Sequence, residues 1–116
     1  MQIAIPEGGE ASAREFYGRI LGLRARPKPA SLSPDGCWFA LGPAELHLGI
    51  DPHFTPATKA HVALVMDDID SCAERLRSAE FPATYDTRLP GFRRFFTVDP
   101  FGNRIEVLEP LGAAPI

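Results

Sequence analysis

Hydrophobic and polar positions alternate at the start of the chain. Met1, Ile3 and Ile5 are separated by Gln2 and Ala4, the two-residue period of a half-buried strand. Pro6-Glu7-Gly8-Gly9 breaks the pattern. Ala13, Phe16, Tyr17, Ile20 and Leu21 then return at helical spacing, which predicts a helix over 10–21 with one apolar face and Gly22 as its stop. Pro27 and Pro29 confine 24–32 to an edge strand or irregular chain, because proline cannot donate to a sheet ladder. Ser33-Pro34-Asp35-Gly36 and Gly42-Pro43 signal turns, and 37–41 and 45–50 read as strands around them. Residues 51–59 carry two prolines and no periodicity, and they read as a linker.

The order then repeats. Along 61–66, Val62, Leu64 and Met66 share one face, and His61, Ala63 and Val65 the other. Asp67 or Asp68 is placed to cap a helix whose buried stripe is Ile69, Cys72, Ala73 and Leu76. Strands are expected over 84–87, 93–98 and 104–108, the last two joined by Asp99-Pro100-Phe101-Gly102-Asn103. The expected organisation is one domain over 1–116: module one 1–50, linker 51–59, module two 60–110 and a frayed tail 111–116. The fold class is α+β, two tandem βαβββ modules. In each, a helix covers one face of an incurved mixed sheet and leaves the other to line a shared cavity.

Composition narrows the partners. Hydrophobic content of 45% and charged content of 23% are ordinary for a folded domain. A net charge of −3, with Arg93-Arg94 the only adjacent basic pair, argues against nucleic acid. No apolar run approaches the roughly 20 residues that span a bilayer, so no membrane association is expected. The first residues carry no basic segment and soon meet Pro6, so no secretory signal is expected. Cys37 and Cys72 lie singly on apolar-patterned segments, as buried thiols do in a reducing compartment, and the expected location is cytoplasmic.

Strand alternation also selects the candidate chemistry. It turns His61, Glu106, Glu45 and His47 toward the cavity. Arg93 and Arg94 are neighbours on one strand, so one of them faces inward, and Arg93 is taken as the candidate to hold an anionic substrate group; an ion-paired or solvated arginine is the plainer alternative. Trp38 turned inward would line an apolar ligand pocket, against core packing as the default. Two carboxylates and an imidazole suit a divalent ion such as Zn²⁺, Ni²⁺, Mn²⁺ or Fe²⁺ with open positions for substrate oxygens. Glu106 or Glu45 would also suit proton abstraction beside a carbonyl.

Three segments carry a family resemblance: Phe16-Tyr17-x-x-Ile20-Leu21-Gly22-Leu23, His61-Val62-Ala63-Leu64, and Asp99-Pro100-Phe101-Gly102-Asn103-Arg104-Ile105-Glu106. They resemble the vicinal oxygen chelate superfamily of glyoxalases, epimerases, extradiol dioxygenases, fosfomycin-modifying enzymes and bleomycin-resistance proteins. The resemblance implies metal ligands from the first and last strands of each module, carried onto His61, Glu106 and Glu45. With the halves superposed so that Val62 falls on Met1, the partner of His61 would be a residue before Met1. Gln2 is a weaker alternative. The implied function is that of a metal-dependent lyase, isomerase or dioxygenase on a small oxygenated molecule, with a metal-free, drug-binding protein of the bleomycin-resistance type as the alternative. The implied assembly is a homodimer.

Overall fold

Each half of the chain closes one four-stranded sheet. The structure, a computed structural model, describes residues 1–112, so the part of the expected tail beyond Gly112 lies outside the described residues. The first half runs β1 (Gln2–Ile5), α1 (Glu10–Ala13) continuing as a π-helix (Arg14–Ile20), β2 (Arg24–Arg26), β3 (Cys37–Leu41) and β4 (Ala44–Ile50). The second runs β5 (Val62–Val65), α2 (Ile69–Ser78), β6 (Thr84–Asp86), β7 (Phe92–Val98) and β8 (Arg104–Pro110). Strand orders are β1-β4-β3-β2 and β5-β8-β7-β6, the same topology twice. In each sheet the first strand lies parallel to the last, and the other neighbours are antiparallel. The fold is the α+β arrangement of two tandem modules. Among the described residues no helix is long and apolar enough to cross a membrane.

The helices follow their apolar stripes. In α2, Ile69, Cys72, Ala73 and Leu76 are buried, and Asp68 caps the first turn by accepting from the Ser71 amide and hydroxyl. In the first half Ala13, Phe16, Tyr17 and Ile20 take the equivalent stripe. That helix is not regular as the spacing predicted: Leu21 N–H donates to the Phe16 carbonyl, one residue further back than an α-helical bond. The π-turn has a cause in the repeat. From Gln2 to the left-handed stop at Gly22 the chain is one residue longer than from His61 to the left-handed stop at Glu80. The wider turn absorbs the extra residue and keeps Phe16 and Tyr17 both fully buried. Full burial of a side chain such as Phe16 contributes about 1.5–3 kcal/mol.

One core joins the halves. Phe16 meets Phe81 edge-on at 4.9 Å between ring centres, and Arg75 Nε donates to the Ile20 carbonyl at 2.8 Å. Tyr17 Oη donates to the buried Asp99 at 2.7 Å. Asp99 also accepts from the amides of Phe101 and Asn103 and from Asn103 Nδ2, which folds the β7–β8 turn. Asn103 Nδ2 reaches back to the Ala4 carbonyl in β1 at 2.9 Å. The turn-rich 99–103 segment is therefore a clasp between the two modules as well as a hairpin connection.

Candidate functional site

The second sheet carries a chain of opposite charges on the face away from α2. Alternation along β8 buries Ile105 and Val107 completely in the core and turns Glu106 to the other face, where neighbouring side chains leave it 6% exposed. His61, just before β5, places Nε2 2.8 Å from Glu106 Oε1 and Nδ1 3.0 Å from the Lys59 carbonyl. Both ring nitrogens face acceptor oxygens. Arg94, opposite Leu108 on β7, donates Nη1 to Glu106 Oε2 at 3.0 Å and Nη2 to Asp86 Oδ2 at 2.9 Å. Arg88 grips Asp86 from the other side; its guanidinium hydrogen bonds, with Arg94 adding charge, hold the Asp86 carboxyl well below the usual carboxylate range. Arg94 and Arg104 both lie over the Phe96 ring, at 5.0 and 4.2 Å from its centre. Arg94 Nε is buried without an acceptor among the described residues.

The first sheet presents a different set. Trp38 and His47 are cross-strand partners in β3 and β4, stacked at 3.8 Å with 2° between their planes. His47 Nε2 lies 3.1 Å from Glu45 Oε1, and Arg26 Nε lies 3.7 Å from Glu45 Oε2. Trp38 and His47 border a cleft of about 870 Å³ that Gln2, Gly49, Lys28 and Asp35 also line. A second cavity of about 300 Å³ lies between the halves, lined by Gln2, His61, Asn103 and Arg104 among others.

The strand ladders relate the two sheets. Val62 sits opposite Ile105, so His61 precedes that pair and Glu106 follows it. Ile3 sits opposite Leu48, so Gln2 precedes and Gly49 follows. Matching Ile5 with Leu64, the fully buried residues of β1 and β5, gives Gln2 and Gly49 in the first module the positions of His61 and Glu106 in the second. The side chains agree: a Cβ built on Gly49 would lie 2.7 Å from Gln2 Nε2, so the Gln2 amide fills the space that a side chain at 49 would take. This corrects the expected superposition, in which the partner of His61 fell before Met1. The sequence held the signal, since Gln2-Ile3-Ala4-Ile5 aligns with His61-Val62-Ala63-Leu64.

Two further expectations change. Glu45 stands four residues earlier on β4 than Gly49, against His47 and Arg26, and does not join His61 and Glu106. Among the described residues no group of three or more His, Cys, Asp or Glu side chains is placed to hold a metal. The set His61, Glu106 and Glu45 is therefore not assembled, and the Glu106 oxygens already accept from His61 and Arg94. These residues do not fit the shared divalent ion that the resemblance implies. Arg93, expected in the cavity, lies on the opposite face from Arg94, gripping Asp70 with two hydrogen bonds of 2.9 Å and covering Tyr85. Those bonds, with one from the Tyr85 hydroxyl, lower the Asp70 carboxyl to about 2. Arg94 is the arginine that faces Glu106; it and Asp86 were hidden in the sequence because the pairing of β6 with β7 sets their meeting.

Comparison with known proteins agrees with this architecture. The sequence profile of the Glyoxalase/Bleomycin resistance protein/Dioxygenase superfamily matches residues 2–107. A crystal structure of a glyoxalase family protein from Bacillus anthracis is 40% identical, with a TM-score of 0.88 over 95% of this chain and 91% of that one. A lactoylglutathione lyase from Agrobacterium tumefaciens is 25% identical with a TM-score of 0.67, covering 94% of this chain and 91% of that one. An antibiotic binding protein from Streptomyces sp. CB03234 shares the fold at 21% identity and a TM-score of 0.71, covering 95% and 93%. No curated protein matches the sequence.

Proposed function

The chain belongs to the Glyoxalase/Bleomycin resistance protein/Dioxygenase superfamily, and on that premise we propose that it binds a flat, largely apolar small molecule in the cleft over its first sheet without using a metal ion. The observation that carries the reading is the Trp38–His47 stack at the edge of the 870 Å³ cleft. A volume of this size suits a drug-sized ligand, and stacked rings offer area at low conformational cost. Gln2 and Gly49 favour the same conclusion, because an amide and a bare Cα stand where a second imidazole and carboxylate would be needed. A metal-dependent lyase, isomerase or dioxygenase would require a third protein ligand beside His61 and Glu106.

Trp38 is the only tryptophan, so its fluorescence reports the cleft directly. Titration with planar polycyclic aromatic compounds should quench it saturably, equally well with or without EDTA. His47→Ala should weaken binding by about tenfold, the loss of about 1.4 kcal/mol expected of one aromatic contact. If no planar compound quenches saturably, or chelator abolishes the effect, the reading fails. The same proposal includes a homodimeric, cytoplasmic protein. The support for the dimer is that, among the described residues, β1 and β5 are each paired on one edge only and that Val65 in β5 is 38% exposed. Sedimentation velocity across a concentration series tests the assembly.

A further inference from the structure

We infer that the guanidinium of Arg94 is the resident cation of the second module's site, standing where a metal ion would bind the Glu106 carboxylate. The matching half-site in the first module is closed by the Gln2 amide lying over Gly49. This rests on the metal-independent reading of the cleft and goes further, by saying what occupies the metal's place and why a metal does not return to it.

Three independent features carry it. The ladders make Gln2 and Gly49 the counterparts of His61 and Glu106, so the chain supplies one imidazole and one carboxylate where a two-module site would draw on four side chains. The Glu106 oxygens are both engaged: Oε1 by His61 Nε2 at 2.8 Å and Oε2 by Arg94 Nη1 at 3.0 Å. Arg94 is itself fixed, with Nη2 on Asp86 and its guanidinium carbon 5.0 Å from the centre of the Phe96 ring, and its side chain is only 16% exposed. A buried carboxylate needs a compensating positive charge. A metal ion would have to displace both His61 Nε2 and Arg94 from Glu106, and it would recover two protein ligands where structural and catalytic sites use three or four. The guanidinium meets the same electrostatic need without depending on metal supply, and its planar fork suits bridging two carboxylates. The consequence is a site whose positive charge comes from fixed guanidinium groups: a ligand reaching the cavity between the halves meets Arg104 as a donor, and its binding is independent of the metal content of the cell.

The test is metal titration of the intact protein with Zn²⁺, Ni²⁺ and Mn²⁺, read by calorimetry and by the melting temperature. Wild type should show no stoichiometric uptake and no shift. Gln2→His/Gly49→Glu/Arg94→Leu should bind one ion at least about 100-fold more tightly than wild type, the upper scale on which changes around a metal site move its affinity. Asp86 keeps its Arg88 partner in that variant. Stoichiometric uptake by wild type that His61→Ala removes would overturn the inference, and so would a folded triple variant that takes up no metal. Should the triple variant not fold, ¹⁵N spectra of the wild-type Arg94 side chain decide. Restricted, slowly exchanging Nη protons that ignore added Zn²⁺ support the fixed cation; signals that Zn²⁺ releases into free rotation refute it. Trp38 quenching in EDTA is read separately, so failure here is distinguishable from failure of the ligand-binding proposal.

Discussion

The amide of Gln2 lies over Gly49 so closely that a Cβ on the glycine would meet Gln2 Nε2 at 2.7 Å. Across the pseudo-repeat, His61 and Glu106 approach in the same way but as a hydrogen-bonded pair of side chains. One module has thus exchanged a polar pair for a single amide that folds down onto bare backbone. The glycine is needed for space rather than conformation, because its backbone is not in the left-handed region.

The relationship fixes the sign of a double-mutant cycle. Gly49→Ala alone should cost less than about 1 kcal/mol, since the atom its Cβ meets is the free end of the exposed Gln2 side chain, which can turn aside. In a Gln2→Ala background the same substitution should be neutral or stabilising, because a glycine within a strand costs about 0.5–1 kcal/mol relative to alanine. Urea denaturation of the four proteins measures the coupling, expected at about 0.5–3 kcal/mol for residues in contact. Additive effects would show that the two positions do not touch in solution.

Tyr17 and Asp99 join the two modules through a fully buried hydroxyl. Tyr17→Phe removes one donor from a carboxylate that keeps three others, and it should cost about 1–2 kcal/mol. Asp99→Ala leaves the Tyr17 hydroxyl and several turn donors buried without acceptors, and it should cost at least about 3 kcal/mol. Chemical denaturation checks the ranking. Equal losses from the two substitutions would mean that the turn does not depend on Asp99.

Alkaline titration separates the two tyrosines of the chain. Burial, then the neighbouring Asp99 carboxylate, pushes Tyr17 far above its usual value. Tyr85 is raised to about 12, by desolvation first and then by Asp70. Both folded values lie above the unfolded value of about 10. The stability they contribute is therefore complete below pH 10 and declines above it, as the unfolded chain releases protons that the folded chain retains. Absorbance of tyrosinate should show no step near pH 10 in the native protein. Tyr85 should ionise near 12, and Tyr17 only as the fold opens. Two phenols ionising near 10 with the far-ultraviolet circular dichroism unchanged would contradict this burial.

Much of the architecture was legible because it depends on local pattern. Period-two alternation located β1 and β5, turn signals bracketed β4 and β8, and the stripe Ile69, Cys72, Ala73, Leu76 located α2. The site was less legible, because it depends on register between distant strands. Nothing local distinguishes Arg93 from Arg94; the pairing of Arg94 with Leu108 and Asp86 places it beside Glu106. Glu45 misled for a related reason. It opens a Glu-Leu-His-Leu strand much as Glu106 follows Ile105, but β4 reaches further back toward its hairpin than β8 does, so the position equivalent to Glu106 is Gly49. The π-turn was invisible to spacing, since the extra residue shows only when both helices are measured between equivalent ends.

The ion pair of Arg94 and Glu106 is the sharpest test of how the second sheet is held. Both side chains are largely buried, at 16% and 8% exposed, so removing either partner takes one counter-charge from the other in a poorly hydrated place, although Arg94 keeps Asp86 and Glu106 keeps His61. Arg94→Leu and Glu106→Leu should each cost about 1–3 kcal/mol, less than the loss that follows when a buried charge is left with no partner. Replacing both should cost clearly less than the sum, because an apolar pair of similar volume escapes the desolvation penalty that the charges carry. His61 Nε2 loses its acceptor in the double variant, and Asp86 keeps Arg88, so the residual loss should trace to His61. Adding His61→Leu to the double variant should then recover stability rather than lose more. Urea midpoints for the series decide it: strictly additive losses would mean that Arg94 and Glu106 stabilise the sheet independently, through packing on Phe96 and on β7 rather than through each other.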